Sequence, residues 1–372
     1  MDRHVAAIIP AAGFSERMGN FKPLLPLGGI TILERCVKLF RESGIGDVRV
    51  VVGHRDEEVK PLLSKLYVAV VENPRYREGM FSSLKAGLAT IDSDVDSFFV
   101  LPVDIPLVRH STIRRLMDAR REKGCDIAYP VFMGERGHPP LITRGLARDI
   151  VQWQGGGGLK QALVRWESNS LEVCVADGNI LLDMDTAEEY EKMRERVDHL
   201  DVPTFEECGE LMEKVFCVDD EVIRHGRTVA KVAGTIAKGL NRMGYNLDIN
   251  LIEASCLLHD IAKGDPDHAR VGARLLIEEG FTAVAAPIAA HMEMEFTEGE
   301  PIGAAQILYL VDKMVSGDQV VGLEERFRFK RERYQHDPEI LARIDGRFKV
   351  AQEIKKRIEN SFGSTLDELL KS

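Results

Sequence analysis

The sequence predicts two folds in tandem: a three-layer α/β domain with a mostly parallel sheet, then an all-α bundle. Three observations carry this expectation. Short β-rich runs alternate with helical periodicity through the first half. From residue 221 onward the pattern is helical almost throughout. The length of 372 residues exceeds one typical domain core and suits two.

Residues 5–10 are a continuous apolar run of strand length, as a sheet covered on both faces requires. Residues 31–43 have helical periodicity, 48–52 read as strand, 57–65 as helix, 68–71 as strand, 82–90 as helix and 97–102 as strand. Strands alternating with helices need crossovers, which lay the strands parallel. A charged helical stretch, 186–196, closes a first domain placed at residues 1–196. Residues 197–219, with Pro203 and little periodicity at their start, are expected to be a linker. The second domain is placed at 220–372 with its core in 220–330. Helices are expected over 222–243, 251–262, 268–279, 283–290, 304–315 and 338–360, and the charged C-terminal segment is expected to cap the bundle. No internal repeat is present, and glycines 155–158 are the one low-complexity tract.

Hydrophobic residues at 44% and charged residues at 29% describe a globular chain. The formal net charge of −11 lacks the broad positive field of nonspecific nucleic-acid binders, so no nucleic-acid partner is expected. Anionic small molecules stay open, because metals and local Arg or Lys hold them. No apolar run reaches the about 18–20 residues that span a bilayer, so no membrane partner is expected. Residues 5–13 lack the cationic start and long apolar stretch of a signal peptide. The six cysteines are scattered without CxxC pairs, against a zinc knuckle or a disulfide framework and for a reducing cytoplasm.

A candidate phosphate cradle follows the first strand. Ala11, Ala12 and Gly13 are small enough for backbone N–H groups to approach phosphate oxygens. Arg17 and Lys22 add the positive charge a triphosphate needs, and Gly19 lies between them. The spacing is neither GxGxxG nor GxxxxGKS, so a dinucleotide fold or a P-loop is not indicated. Asp104 comes at the carboxyl end of an apolar strand, between Pro102 and Pro106. A carboxylate there suits Mg²⁺ bridging to phosphate oxygens, and the same residue type also serves as a turn or helix N-cap. Asp185 has the same two readings, a second Mg²⁺ ligand or an N-cap completed by Glu188. Asp183 and Asp185 share one side of an extended segment.

In the second half, His259 and Asp260 end the apolar stretch 251–258, and Asp312 lies inside the apolar stretch 307–314. Ionisable groups facing a core are costly unless paired or bound to a metal. Imidazole with carboxylate suits Fe, Mn, Zn or another transition metal. With His225 at the head of another helix, separate helices supply the candidates. Each alone also reads as a capping His or a satisfied buried Asp.

The first-half motifs closely resemble the MobA-like nucleotidyltransferase family over residues 4–196. They are the loop AAGxSxRMGxxKxLL at residues 11–25, Glu78-Gly79-Met80-Phe81-Ser82-Ser83-Leu84, Pro102-Val103-Asp104-Ile105-Pro106, Gly137-His138-Pro139-Pro140, the glycine run 155–158 and Asp183-Met184-Asp185-Thr186. The nearest likeness is the molybdenum-cofactor cytidylyltransferase branch, which has Ala-Ala-Gly where the guanylyl branch tends to Ala-Gly-Gly. The resemblance implies an α/β Rossmann-like domain transferring CMP from CTP to molybdopterin with release of pyrophosphate. It implies that Ala11, Ala12, Gly13, Ser15, Arg17, Gly19 and Lys22 hold the triphosphate, with Arg17 and Lys22 assisting catalysis. It also implies that Gly79 and Ser82 lie near base and ribose, that Asp104 and Asp185 hold Mg²⁺, and that His138 and Gly157 face the acceptor. Another NTP, or a sugar or alcohol phosphate as acceptor, remains the alternative.

His225, His259, Asp260 and Asp312 in this order resemble the HD phosphohydrolase superfamily over residues 220–330. The resemblance implies a metal whose water attacks a phosphoester. His268 and His291, between the pair and Asp312, imply a branch that holds two metals or clamps a substrate phosphate, and Lys263 adds charge for phosphate. A non-catalytic nucleotide sensor is the rival reading of this half.

Overall fold

The first strand, β1 (His4–Pro10), sits at the centre of a sheet, and Ala6, Ala7, Ile8 and Ile9 are wholly buried on both of its faces. The computed structural model describes residues 4–14, 18–297 and 299–370. Further strands follow in chain order: β2 (Asp47–Val52), β3 (Ala69–Glu72), β4 (Val95–Val100), β5 (Ile127–Phe132), β6 (Glu135–Arg136), β7 (Leu141–Thr143) and β8 (Ser170–Cys174). Their order across the sheet is β8-β5-β7-β4-β1-β2-β3, with β6 on β5. β1 pairs in parallel with β2 and β4, β2 with β3, and β8 with β5, whereas β7 and β6 run antiparallel. The mostly parallel sheet is as expected.

Helices α1 (Ile32–Glu42), α2 (Asp56–Leu66), α3 (Met80–Leu88) and α4 (His110–Lys123) alternate with the strands. Leu84 and Leu88 of α3 pack into a core with Ile8 and Phe98. A Cβ on Gly87 of α3 would stand 2.7 Å from Ile8 Cγ2, so glycine sets how close that helix lies. Phe40 of α1 meets Phe99 with ring centroids 5.6 Å apart. Phe98 and Phe99 point to opposite faces of β4, which gives the three layers. α5 (Ala147–Gln152), α6 (Gly158–Leu163) and α7 (Ala187–Val197) complete the unit. Because β1 and β4 are adjacent and parallel, the loops that follow them share one edge, where open α/β sheets bind ligands.

The chain divides into two compact units, Met1–His199 and Leu200–Ser372. The expected linker 197–219 needs correction. Residues from 205 form α8 (Phe205–Glu210) and a π-helical turn at Leu211–Val215, and Val202, Cys208, Leu211 and Met212 are buried. Pro203 precedes the N-cap Thr204, a place where proline does not break a helix, and two turns are too short to show periodicity. α9 (Asp220–Arg242), α10 (Ile249–Leu258), α11 (His268–Glu278), α12 (Ala285–Ala290) and α13 (Ala304–Asp312) follow. α13 is the central helix, with Ile307 to Val311 wholly buried. α14 (Leu323–Arg333), not foreseen, precedes α15 (Pro338–Phe362) and α16 (Leu366–Leu369). A hairpin of Val315–Ser316 with Gln319–Val320 interrupts the otherwise all-α unit. No helix among the described residues is long and apolar enough to cross a membrane, and the six cysteines are unpaired.

Candidate active sites

The loops after β1 and β4 meet the segment before α7 around Lys22. The Lys22 ammonium donates to Asp185 Oδ1 at 2.8 Å and lies 3.8 Å from Asp104 Oδ2. Three residues far apart in sequence thus converge beside the Ala11–Gly13 turn. Burial raises the Asp104 pKa, Lys22 lowers it, and the charges of Asp185 and Asp183 raise it again. Two carboxylates gathered around one cation are a donor set that fits a divalent metal. The N-cap reading of Asp185 is displaced by one residue: Thr186 caps α7 in a capping box with Glu189.

A cavity of about 280 Å³ is lined by Ala11, Ala12, Gly13, Lys22, Gly79 and Asp104. The Ala11 N–H is committed to the Val51 carbonyl at 2.8 Å, which anchors the turn to the sheet. A Cβ at Gly13 would meet no atom within 4 Å, so the turn leaves room beside it. Gly79 takes φ 95°, a conformation that favours glycine, at the start of α3. Gly19, at φ 67°, turns the chain toward Lys22. Ser15 and Arg17 lie outside the described residues. Ser82 has its hydroxyl 2.8 Å from the Gly79 carbonyl and 2.9 Å from that of Arg75, and accepts from Asn73 at 2.9 Å. It organises the Gly79 turn, and Ser83 lines the cavity instead.

Sequence reading missed the aromatic wall. Phe14 lies 5.3 Å from Tyr76 and 5.0 Å from His54 between ring centroids, with the Arg77 guanidinium 5.6 Å from the Phe14 ring. Phe14, Tyr76 and Arg77 all line the cavity.

A larger cavity of about 630 Å³ adjoins it, sharing Pro10, Met80 and Pro102. His138 and Gly157 line it, with Tyr129, Arg136 and Lys160 among an apolar wall of Phe81, Leu84 and Leu163. Gly137 allows this approach: a Cβ there would stand 2.5 Å from the Ile180 carbonyl oxygen. Burial lowers the His138 pKa against the opposing pull of Asp183, which favours the neutral ring.

In the second unit, helix ends converge. His225 lies on α9, His259 and Asp260 follow α10, His268 opens α11, His291 ends α12 and Asp312 ends α13. Three rings have the same tautomer imposed on them. Nδ1 donates to a backbone carbonyl in His225 (Gly317, 2.7 Å), His259 (Cys256, 2.8 Å) and His291 (Ile288, 2.6 Å). A carbonyl only accepts, so Nδ1 carries the hydrogen and the Nε2 lone pair faces inward, as a metal ligand's does. His225 Nε2 lies 3.3 Å and His259 Nε2 3.6 Å from Asp312 Oδ1. His268 Nε2 and His291 Nε2 lie 3.3 and 3.6 Å from Asp260 Oδ1 and 3.3 Å from each other. Buried His259 Nε2 has no hydrogen-bond partner among the described residues.

The donor atoms form two overlapping groups, His225–His259–Asp260 and Asp260–His268–His291, sharing Asp260. Burial would raise Asp260, yet the imidazoles of His268 and His291 and the hydrogen bond from Lys263 hold its carboxyl well below the usual range. Lys263 pairs with Asp260 at 2.8 Å. Lys313, wholly buried and foreseen by no motif, donates to the His291 carbonyl at 2.7 Å and lies 3.5 Å from Asp312 Oδ2. Burial lowers its pKa to about 8.

This combination defines a nucleotidyltransferase of the cytidylyltransferase kind followed by an HD domain. Residues 7–170 match the MobA-like NTP transferase domain and residues 222–317 match the HD domain. The chain belongs to the MobA-like NTP transferase family through its first half. It is 26% identical to the molybdenum cofactor cytidylyltransferase of Escherichia coli (strain K12) over 193 residues, 52% of this chain and 96% of that protein. It is 30% identical to the 2-C-methyl-D-erythritol 4-phosphate cytidylyltransferase of Photobacterium profundum, covering 51% of this chain and 85% of the relative. It is 40% identical over 119 residues to a bifunctional IPC transferase and DIPP synthase of Rubrobacter xylanophilus, 30% of this chain and 26% of that relative.

Proposed function

We propose that the first unit transfers CMP from CTP to molybdopterin and releases pyrophosphate. The observation that carries this reading is the convergence of Lys22, Asp104 and Asp185 beside the Ala11–Gly13 turn, opening onto the cavity that holds His138. The cradle holds the triphosphate, and Lys22 with Arg17 stabilises the departing pyrophosphate. Mg²⁺ held by Asp104 and Asp185 would neutralise the charge that develops on the phosphates. An acceptor phosphate oxygen attacks the α-phosphorus in line with the leaving group, so orientation and charge neutralisation carry the step. The acceptor is already anionic and needs no protein base; neutral His138 orients it by hydrogen bonding.

The test is incubation with each NTP and molybdopterin, following pyrophosphate. CTP with molybdopterin should give release. The relative named for 2-C-methyl-D-erythritol 4-phosphate supports a second acceptor class, the alcohol phosphates. Release only with a sugar or alcohol phosphate would replace the molybdopterin reading by that one.

For the second unit we propose phosphoester hydrolysis at a two-metal centre, with His225, His259, Asp260 and Asp312 on one side and Asp260, His268 and His291 on the other. The inward Nε2 lone pairs support it. When bound, transition metals supply Lewis acidity and lower the pKa of a water. The protein's part is to fix ligand tautomers and to bring Lys263 to the edge of the centre for the substrate phosphate. A nucleotide sensor needs no such complete ligand set. Phosphoester hydrolysis by the whole protein with Mn²⁺ or Fe²⁺ should separate the two; binding without turnover favours the sensor.

A further inference from the structure

We propose that Arg326, Lys330 and Arg347 form a subsite for a second phosphate beside the HD centre, so that its substrate carries at least two linked phosphates. The inference rests on the phosphohydrolase reading of that centre.

The three cations come from α14 and α15, and two of them bond residues that neighbour the centre's ligands. Arg326 Nη1 donates to Ser316 Oγ at 2.7 Å, and the carbonyl of the next residue, Gly317, accepts from His225 Nδ1 at 2.7 Å. Lys330 lies four residues beyond Arg326, on the same face of α14. The Arg347 carbonyl accepts from the Tyr309 hydroxyl at 3.3 Å, one turn before Asp312. Its guanidinium reaches Glu293, two residues beyond His291, at 3.2 Å.

The trio is short of anions. Among the described residues, Arg347–Glu293 is the one ion pair it makes. Lys330 is half-buried and has no hydrogen bond or ion pair there, only the Phe327 ring at 5.8 Å. Arg326 Nε is buried and has no hydrogen-bond partner among the described residues. Burial lowers the Lys330 pKa and the repulsion of Arg326 and Arg347 lowers it further, opposed by Asp312 alone. Like charges crowded out of water, in a chain of net charge −11, are costly unless an anion joins them. A second phosphate linked to the one at the metals would meet that demand and present acceptors to these donors.

The test uses the full chain in a Lys22→Ala background, which weakens phosphate binding at the transferase site. Equilibrium dialysis of the metal-loaded protein compares methylenediphosphonate with methylphosphonate, with metal content checked on the same samples. The diphosphonate should bind at least about tenfold tighter. That preference should vanish in Lys330→Gln and in Arg326→Gln and persist in Lys330→Arg. Equal affinity for the two probes, or a preference that survives both glutamine variants with metal retained, would overturn the subsite. If the preference is found but no phosphoester is hydrolysed, the hydrolase reading fails while the subsite stands.

Discussion

Lys22 stands where a bound cation is most needed, between Asp104 and Asp185. Asp104 is half-buried, and burial already works against its charge. Replacing it by asparagine keeps the shape and removes the charge that a divalent ion requires. Asp104→Asn should cut pyrophosphate release by about 100-fold or more while leaving the circular dichroism spectrum unchanged. Transfer at the original rate would exclude Asp104 from the site. The charged members of this site were legible because they stand in loops near strand ends, where open α/β sheets bind ligands, in the order of a family's motifs. Phe14, Tyr76 and Arg77 were not, since an aromatic or basic loop residue gives no sign of facing a cavity until the fold brings it there. Ser82 misled for the opposite reason: its position marks the right loop, but its hydroxyl is used by the loop itself.

At the scale of elements, α9 and α10 show how a small residue builds a metal centre. Gly226 follows His225, and a Cβ there would stand 2.6 Å from the Leu257 carbonyl oxygen. That close approach lets the rings of His225 and His259 come within 5.2 Å. Gly226→Ala would gain about 1 kcal/mol of helix propensity but must push two backbones apart. It should lose about 1–3 kcal/mol in urea unfolding and lower metal content together. Unchanged stability with full metal would show that α9 yields without cost. Helices with an apolar stripe, such as α9 and α11, were readable by periodicity. α14 was not: Glu324, Glu325, Arg326, Arg328, Lys330, Arg331 and Arg333 swamp the stripe, and Leu323 and Phe327 alone are buried. The hairpin after α13 has two-residue strands, below the length at which alternation can be seen.

Across the whole molecule, each candidate site takes its side chains from one unit alone. Residues 11–185 supply the first, inside Met1–His199, and residues 225–312 supply the second, inside Leu200–Ser372. Within each, ligands far apart in sequence meet because the topology places adjacent parallel strand ends, or the ends of five helices, together. Sequence order alone named these residues, while the sharing of Asp260 between two ligand groups needed the fold. Two chemically self-contained sites predict a double dissociation. Among the described residues, His259 Nε2 is the one buried imidazole nitrogen without a hydrogen bond, so in His259→Ala metal measured by mass spectrometry should fall and phosphoester hydrolysis should stop. Its CTP-dependent pyrophosphate release should stay within about twofold of the parent, because no ligand of the first site is touched. Asp104→Asn should show the mirror image, with transfer lost and the transition-metal content of the second site unchanged. If His259→Ala also abolishes transfer while both halves remain folded by circular dichroism, the sites are chemically coupled and the two-site description fails.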